Sequence, residues 1–280
     1  MVTKILAILF LSAFSLAVSA QNEEYVQQGE FGITLGGAHY FGDLNNRASI
    51  SRPKPALGLF YRKQLGNYVG LRLAAHYAQL GYSDVYSKTE YEQRRNLSFN
   101  TNIWELAVMG DFNFFKFSPN NPDYLFTPYI TLGVGVFSYD PYAYLASTKE
   151  FLRPLGTEGQ NINYQGRKQY GTMAVCVPFG AGIKYNVSQK LNISFEVSHR
   201  YTFTDYLDDV STTYVGIDKF SDIGATNARL LQDRSYEIDP NNIIGLEGRQ
   251  RGTSKQKDQY LIVELGVSFN ISTYRCPTAK

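Results

Sequence analysis

The stretch Trp104-Glu105-Leu106-Ala107-Val108-Met109-Gly110-Asp111-Phe112-Asn113-Phe114 places bulky apolar side chains at Trp104, Leu106, Val108, Phe112 and Phe114. Glu105, Ala107, Met109, Asp111 and Asn113 fall between them, so charge sits on one side only. A period of two is that of a β-strand, whose successive side chains point to opposite faces. Strands of soluble sandwiches are mostly five or six residues long, and their outward face is polar. This one is longer, as befits a strand that crosses a membrane: at roughly 45° of tilt about 9–11 residues span the hydrocarbon layer.

The same alternation recurs at residues 31–42, 57–62, 69–77, 129–136, 175–184, 191–200 and 261–269, which makes eight strands, an even number. Connections of two lengths alternate between them. Residues 65–68 (with Gly66-Asn67 as a tight turn), 119–122 and 186–190 are short; residues 43–55, 83–96, 140–169 and 205–258 are long, with a short helix expected near 222–232. Short turns at one end and long loops at the other mark an outer-membrane barrel. The expected fold is all-β, an eight-stranded antiparallel transmembrane β-barrel with long extracellular loops. A barrel of eight strands is filled by its own side chains, which argues against an open pore.

Outward from the strands, the chain has 280 residues, of which 15% are aromatic, and a net charge of +2. So even a balance offers no basic footprint for nucleic acid. The aromatics fit interfacial girdles, assigned here to Tyr40, Phe41, Tyr82, Phe114, Phe115, Phe117, Tyr124, Tyr139, Tyr185 and Tyr201. Residues 1–20 read as an export signal, with Lys4, an apolar run and Val18-Ser19-Ala20 before polar residues. Residues 21–280 then form one barrel domain in the outer membrane of a Gram-negative bacterium.

On the inward parity stand Arg72, His76, Glu105, Asp111, Lys184, Glu196, Arg200 and Glu264. Isolated buried charge is costly, so these are expected to pair into a plug. Enzymatic constellations are weak. Ser198 and His199 are neighbours on a strand and point to opposite faces, and His199 lies on the lipid-facing parity, away from Asp205, Asp208 and Asp209. Those carboxylates read as a solvated strand exit that caps turns. Their spacing lacks an ordered calcium loop, and neither a cofactor nor a small-molecule substrate is expected. Cys176 faces the lumen and Cys276 follows the last strand, too far apart for a disulfide.

Several strings stand out together: residues 30–32 and 40–44, Arg95-Asn96-Leu97-Ser98-Phe99, Leu155-Gly156-Thr157-Glu158-Gly159-Gln160, Pro178-Phe179-Gly180, Arg251-Gly252, and Thr202-Phe203-Thr204-Asp205-Tyr206-Leu207-Asp208-Asp209-Val210. With them the chain resembles the PorG family, small outer-membrane barrels of the type IX secretion system of Bacteroidota. The string from Thr202 to Asp209, expected at the outer rim, is its most specific part. The resemblance implies a non-enzymatic component that associates with a periplasmic ring built from a PorK-like ring lipoprotein and a PorN-like ring subunit. From below the membrane, a ring reaches only residues 21–29, 65–68, 116–124, 186–190 and 272–280. The turn at 116–124 is the largest of the turns, so Lys116, Phe117, Asn120, Asn121, Asp123 and Tyr124 are the expected contacts. The alternatives are a small barrel for adhesion or envelope integrity, and a lipid- or peptide-cleaving barrel enzyme.

Overall fold

The computed structural model describes residues 27–119, 121–223 and 226–272. The export signal, Asn120, Cys276 and most of both tails lie outside the described residues.

All eight expected strands are present: β1 (Gln27–Phe41), β2 (Lys54–Gln64), β3 (Val69–Ser83), β4 (Ser98–Asn113), β5 (Phe126–Ser138), β8 (Met173–Ser188), β9 (Leu191–Thr202) and β10 (Gln259–Ser272). They pair antiparallel in the order β3-β2-β1-β10-β9-β8-β5-β4, and a β3–β4 ladder joins the two ends into a closed barrel. Closure leaves these strands no open edge. Residues 65–68, 114–125 and 189–190 share one end of the barrel; the first and last of these connections are short as expected, but the one at 114–125 is longer than the expected turn at 119–122 and as long as the first outer loop at 42–53.

Its surface is inverted relative to a soluble protein. Trp104 is 64% exposed and Leu106 52%, whereas Glu105 between them is 3% exposed. Phe31, Ile33, Leu35, Leu132 and Leu265 likewise face outward. A continuous apolar belt of this kind belongs in hydrocarbon. Inside, small residues make room for large ones. A Cβ on Gly32 would lie 2.4 Å from the Phe60 ring, and one on Gly182 2.6 Å from the Tyr129 ring.

Two features were not anticipated. A hairpin, β6 (Tyr142–Leu145) and β7 (Thr148–Phe151), grows from the third long loop and pairs with β4 through Asn100 and Tyr142. Its turn residues Ala146 and Ser147 both have positive φ, the geometry that Asn-Gly usually marks. A helix α1 (Glu90–Arg95) ends on Asn96 in the left-handed region. The helix expected near 222–232 is α2 (Thr226–Gln232).

The girdle holds only in part. Phe114, Phe115, Tyr185 and Tyr201 are exposed on the outer wall, but Tyr40, Tyr82, Phe117 and Tyr139 are at most 5% exposed. Tyr40, Tyr82 and Tyr139 have the inward parity of their strands, and Phe117 is turned into the barrel mouth, so these four pack inside instead of meeting lipid headgroups.

Candidate functional site

The lumen contains two ion-pair chains. In the one nearer the short turns, Arg62 joins Glu30 and Asp111, each at 2.5 Å. Arg72 follows, 3.2 Å from Asp111 and 2.7 Å from Glu196, which also accepts a 2.7 Å hydrogen bond from Tyr129. The second centres on Glu105, which meets Arg200 at 3.3 Å, His76 at 3.2 Å and the Tyr260 hydroxyl at 2.5 Å. His76 faces Glu264 at 3.5 Å on its other side. Every luminal charge expected from parity is buried. Lys184 differs from the rest: its ammonium makes no hydrogen bond and lies over the rings of Phe117 and Tyr129, 4.5 and 5.6 Å from their centroids. Glu30 and Arg62 were missed as members. Arg62 carried the inward parity, and Glu30 stood next to a presumed tail.

A second buried network closes the outer end, where the loops pack over the barrel. Asp205, Asp208 and Asp209 are 4%, 1% and 0% exposed, which corrects the reading of a solvated strand exit. Loops distant in sequence fold over them. Part of the turn-capping role stands, since Asp208 accepts the Val210 amide at 2.9 Å. Arg251 bridges Glu158 at 3.1 Å and Asp209 at 3.7 Å, and its Nε donates to the Gln232 carbonyl. Glu158 accepts the amides of Ser211 and Thr212 and the Thr212 hydroxyl. Arg95 grips Asp84 with two 2.7 Å bonds and reaches the Arg251 carbonyl. The strings around Tyr40, Arg95, Glu158, Asp205 and Arg251, scattered along the chain, thus meet in one cap.

Acid outnumbers base at one spot of that cap. The Tyr40 hydroxyl lies 2.5 Å from Asp208 and 3.0 Å from Asp258. Burial, then the neighbouring carboxylates, push both acids well above the usual carboxylate range. Burial likewise lifts Asp43 to about 7 and Asp205 and Asp209 to about 6. Asp209 is restrained by Arg251 and by hydrogen bonds from Thr157 and Tyr170.

No nucleophile meets a base among the enzyme candidates. Ser198 bonds to Arg200 at 2.5 Å inside the barrel, whereas His199 bonds to Gln259 at 2.6 Å on the outer wall. The aspartates of the string after it are engaged in the cap. Among the described residues no group of three or more His, Cys, Asp or Glu is placed to hold a metal ion. Cys176 is free and buried, with Sγ 3.8 Å from Glu105.

At the opposite end, the turn between β4 and β5 forms a cleft of about 680 Å³, lined in part by Tyr68, Phe115, Lys116, Asp123, Tyr124 and Tyr185. Asn121 caps the turn by accepting the Asp123 amide at 3.0 Å. Lys116 lies over the Tyr124 ring. Phe117, expected as a surface contact, is instead 4% exposed and covers Lys184 from below. It stops the mouth of the lumen, and Lys116, Asn121, Asp123 and Tyr124 remain on the accessible side of the turn.

These features define an outer-membrane β-barrel with a salt-bridged lumen and a folded outer cap. Residues 3–224 match the family described as a domain of unknown function, DUF6089, and the chain belongs to that family. A search of curated protein sequences finds no match. Among solved structures, Neisserial surface protein A aligns at 9% identity over 87% of this chain and 97% of that one, with a TM-score of 0.42. The N-terminal β-barrel domain of Pseudomonas aeruginosa OprF aligns at 13% identity over 87% and 100%, with a TM-score of 0.37. Ail, the attachment invasion locus protein of Yersinia pestis, solved with the heparin analogue sucrose octasulfate, aligns at 11% over 87% and 99%, with a TM-score of 0.39. At these values the likeness concerns the fold, and function is argued from this chain's own surfaces.

Proposed function

We propose that the protein is a non-enzymatic barrel of a type IX protein secretion system, seated in the outer membrane of a bacterium of the Bacteroidota and associated with a periplasmic ring lipoprotein and ring subunit. The observation that carries this reading is where the molecule is closed and where it is not. The lumen is filled by ion pairs, its outer mouth is covered by the cap and its inner mouth by Phe117, so the barrel serves as an anchor and not as a conduit. Among the described residues at that end, a partner below the membrane meets the aromatic and charged cleft around Lys116, Asp123 and Tyr124. The strings that resemble the PorG family supply the identity of that partner.

Affinity purification of the tagged barrel in mild detergent tests the proposal. Ring subunits are expected to co-purify, and the pair Lys116→Glu with Tyr124→Ala is expected to release them. That pair spares Phe117, and a retained heat-dependent shift in gel mobility verifies the fold. Undiminished recovery with the variant would show that the ring binds elsewhere. A wild-type barrel that brings down no ring subunit would leave the small barrel for adhesion or envelope integrity.

A further inference from the structure

The outer wall is interrupted on the side of β5, β8, β9 and β10 by a groove of about 350 Å³. Strand register explains it. Lys184, Ser194 and Gly266 lie side by side across three strands with their side-chain positions turned to the lumen, so only backbone and small atoms make the floor. One flanking row is Phe126, Tyr185, Ile193 and Val267, and the other is Ile183, Phe195 and Leu265. At about 4.8 Å between strands the groove crosses roughly 14 Å of wall.

Phe126 and Tyr185 also line the periplasmic cleft. The apolar groove therefore continues into a polar mouth, where Lys116 and Asp123 stand beside Tyr124. We propose that groove and cleft together form a binding slot for one zwitterionic phospholipid of the periplasmic leaflet, with an acyl chain in the groove, the phosphate at Lys116 and the ammonium of an ethanolamine headgroup at Asp123.

Three observations select this occupant. The walls are hydrocarbon and face the bilayer, so the contents come from the membrane. An α-helix is about 10–12 Å across, and two turns displace on the order of 900 Å³, so a helix would bridge the groove without entering it. Charge of both signs at the mouth complements a headgroup that carries both. The mouth of the slot shares Lys116 and Asp123 with the surface proposed for the ring, but a lipid reaches it from the bilayer without a ring, so the two readings are tested separately.

Native mass spectrometry of the full-length barrel, extracted from phosphatidylethanolamine-containing nanodiscs into mild detergent, tests this. The wild type is expected to retain one phosphatidylethanolamine. Val267→Trp, which fills the groove with another apolar side chain, is expected to lower retention at least five-fold, and Lys116→Glu at least three-fold by repelling the phosphate. Ile193→Phe serves as the groove-filling variant if Val267→Trp loses its heat-dependent gel shift. Absence of a bound lipid in the wild type would overturn the proposal. So would retention unchanged in a folded groove-filled variant, or an adduct with the mass of an acylated peptide or of a second barrel.

Discussion

The lumen and the outer cap are both buried and both charged, yet they balance charge in different ways. In the lumen, acids alternate with bases, and Arg62, Arg72 and Arg200 each touch at least one carboxylate. In the cap, Arg95 and Arg251 engage Asp84, Glu158 and Asp209, while Asp208 and Asp258 share the Tyr40 hydroxyl. A paired ion resists removal because its partner would be stranded in a medium that solvates it poorly. A shared or clustered acid is at ease when protonated. The lumen is thus held by opposite charges in pairs, whereas the cap gathers acids around a shared hydroxyl.

The largest expected effect falls in the lumen. Arg72→Met leaves Asp111 and Glu196 without their shared partner, and the loss should be about 3–5 kcal/mol, read as urea-induced unfolding of the barrel in lipid vesicles. A loss below about 1 kcal/mol would mean that the lumen does not behave as a set of obligate pairs. Next comes Arg251→Met, which removes the bridge between Glu158 and Asp209 and should cost about 2–3 kcal/mol, the scale of hydrogen bonds to charged groups. Its effect should be local: protease cuts within residues 203–258 while the heat-dependent gel shift persists. Loss of that shift as well would make cap and barrel one cooperative unit.

pH acts on the cap with a smaller effect. Asp43, Asp205 and Asp209 hold their protons more tightly in the closed cap than in an open one. Their stabilisation is complete below the ordinary carboxylate value of 3.8 and is lost as pH rises toward about 7. Cap proteolysis should therefore accelerate from pH 4 to pH 7. The opposite trend would place the acids in ordinary salt bridges. The smallest effect belongs to Asp43→Asn, whose amide oxygen still accepts the 2.8 Å bond from the Thr253 amide. Less than about 1 kcal/mol is expected, seen as slower cap proteolysis at pH 7 and a flatter pH profile.

These regions also differ in how far the sequence discloses them. Glu105, Asp111, Lys184 and Glu264 were assigned to the lumen because each stands between apolar residues of a strand, and a pleat sends alternate residues to opposite faces. The burial of Asp205, Asp208 and Asp209 had no such local mark. Tyr40 on Asp208, and Thr157, Tyr170 and Arg251 on Asp209, come from other segments, and loops have no periodicity from which contact could be read. The β6–β7 hairpin was hidden for a related reason: Ala146 and Ser147 adopt positive φ without the Gly or Asn that normally announces it. Phe117 was misplaced because an aromatic beside Phe114 and Phe115 suggests the girdle, whereas the path of the turn directs it into the barrel mouth.

Alternation and connection length by themselves determined the number of barrel strands, which face meets lipid and which end carries the longest loops, because these follow from the two-residue pleat and the thickness of hydrocarbon. Only the tertiary structure decided which acid meets which base, that the loops close into a cap, and that one stretch of wall is grooved. Those outcomes depend on strand register and on side-chain reach between segments far apart in the chain, which no local pattern records.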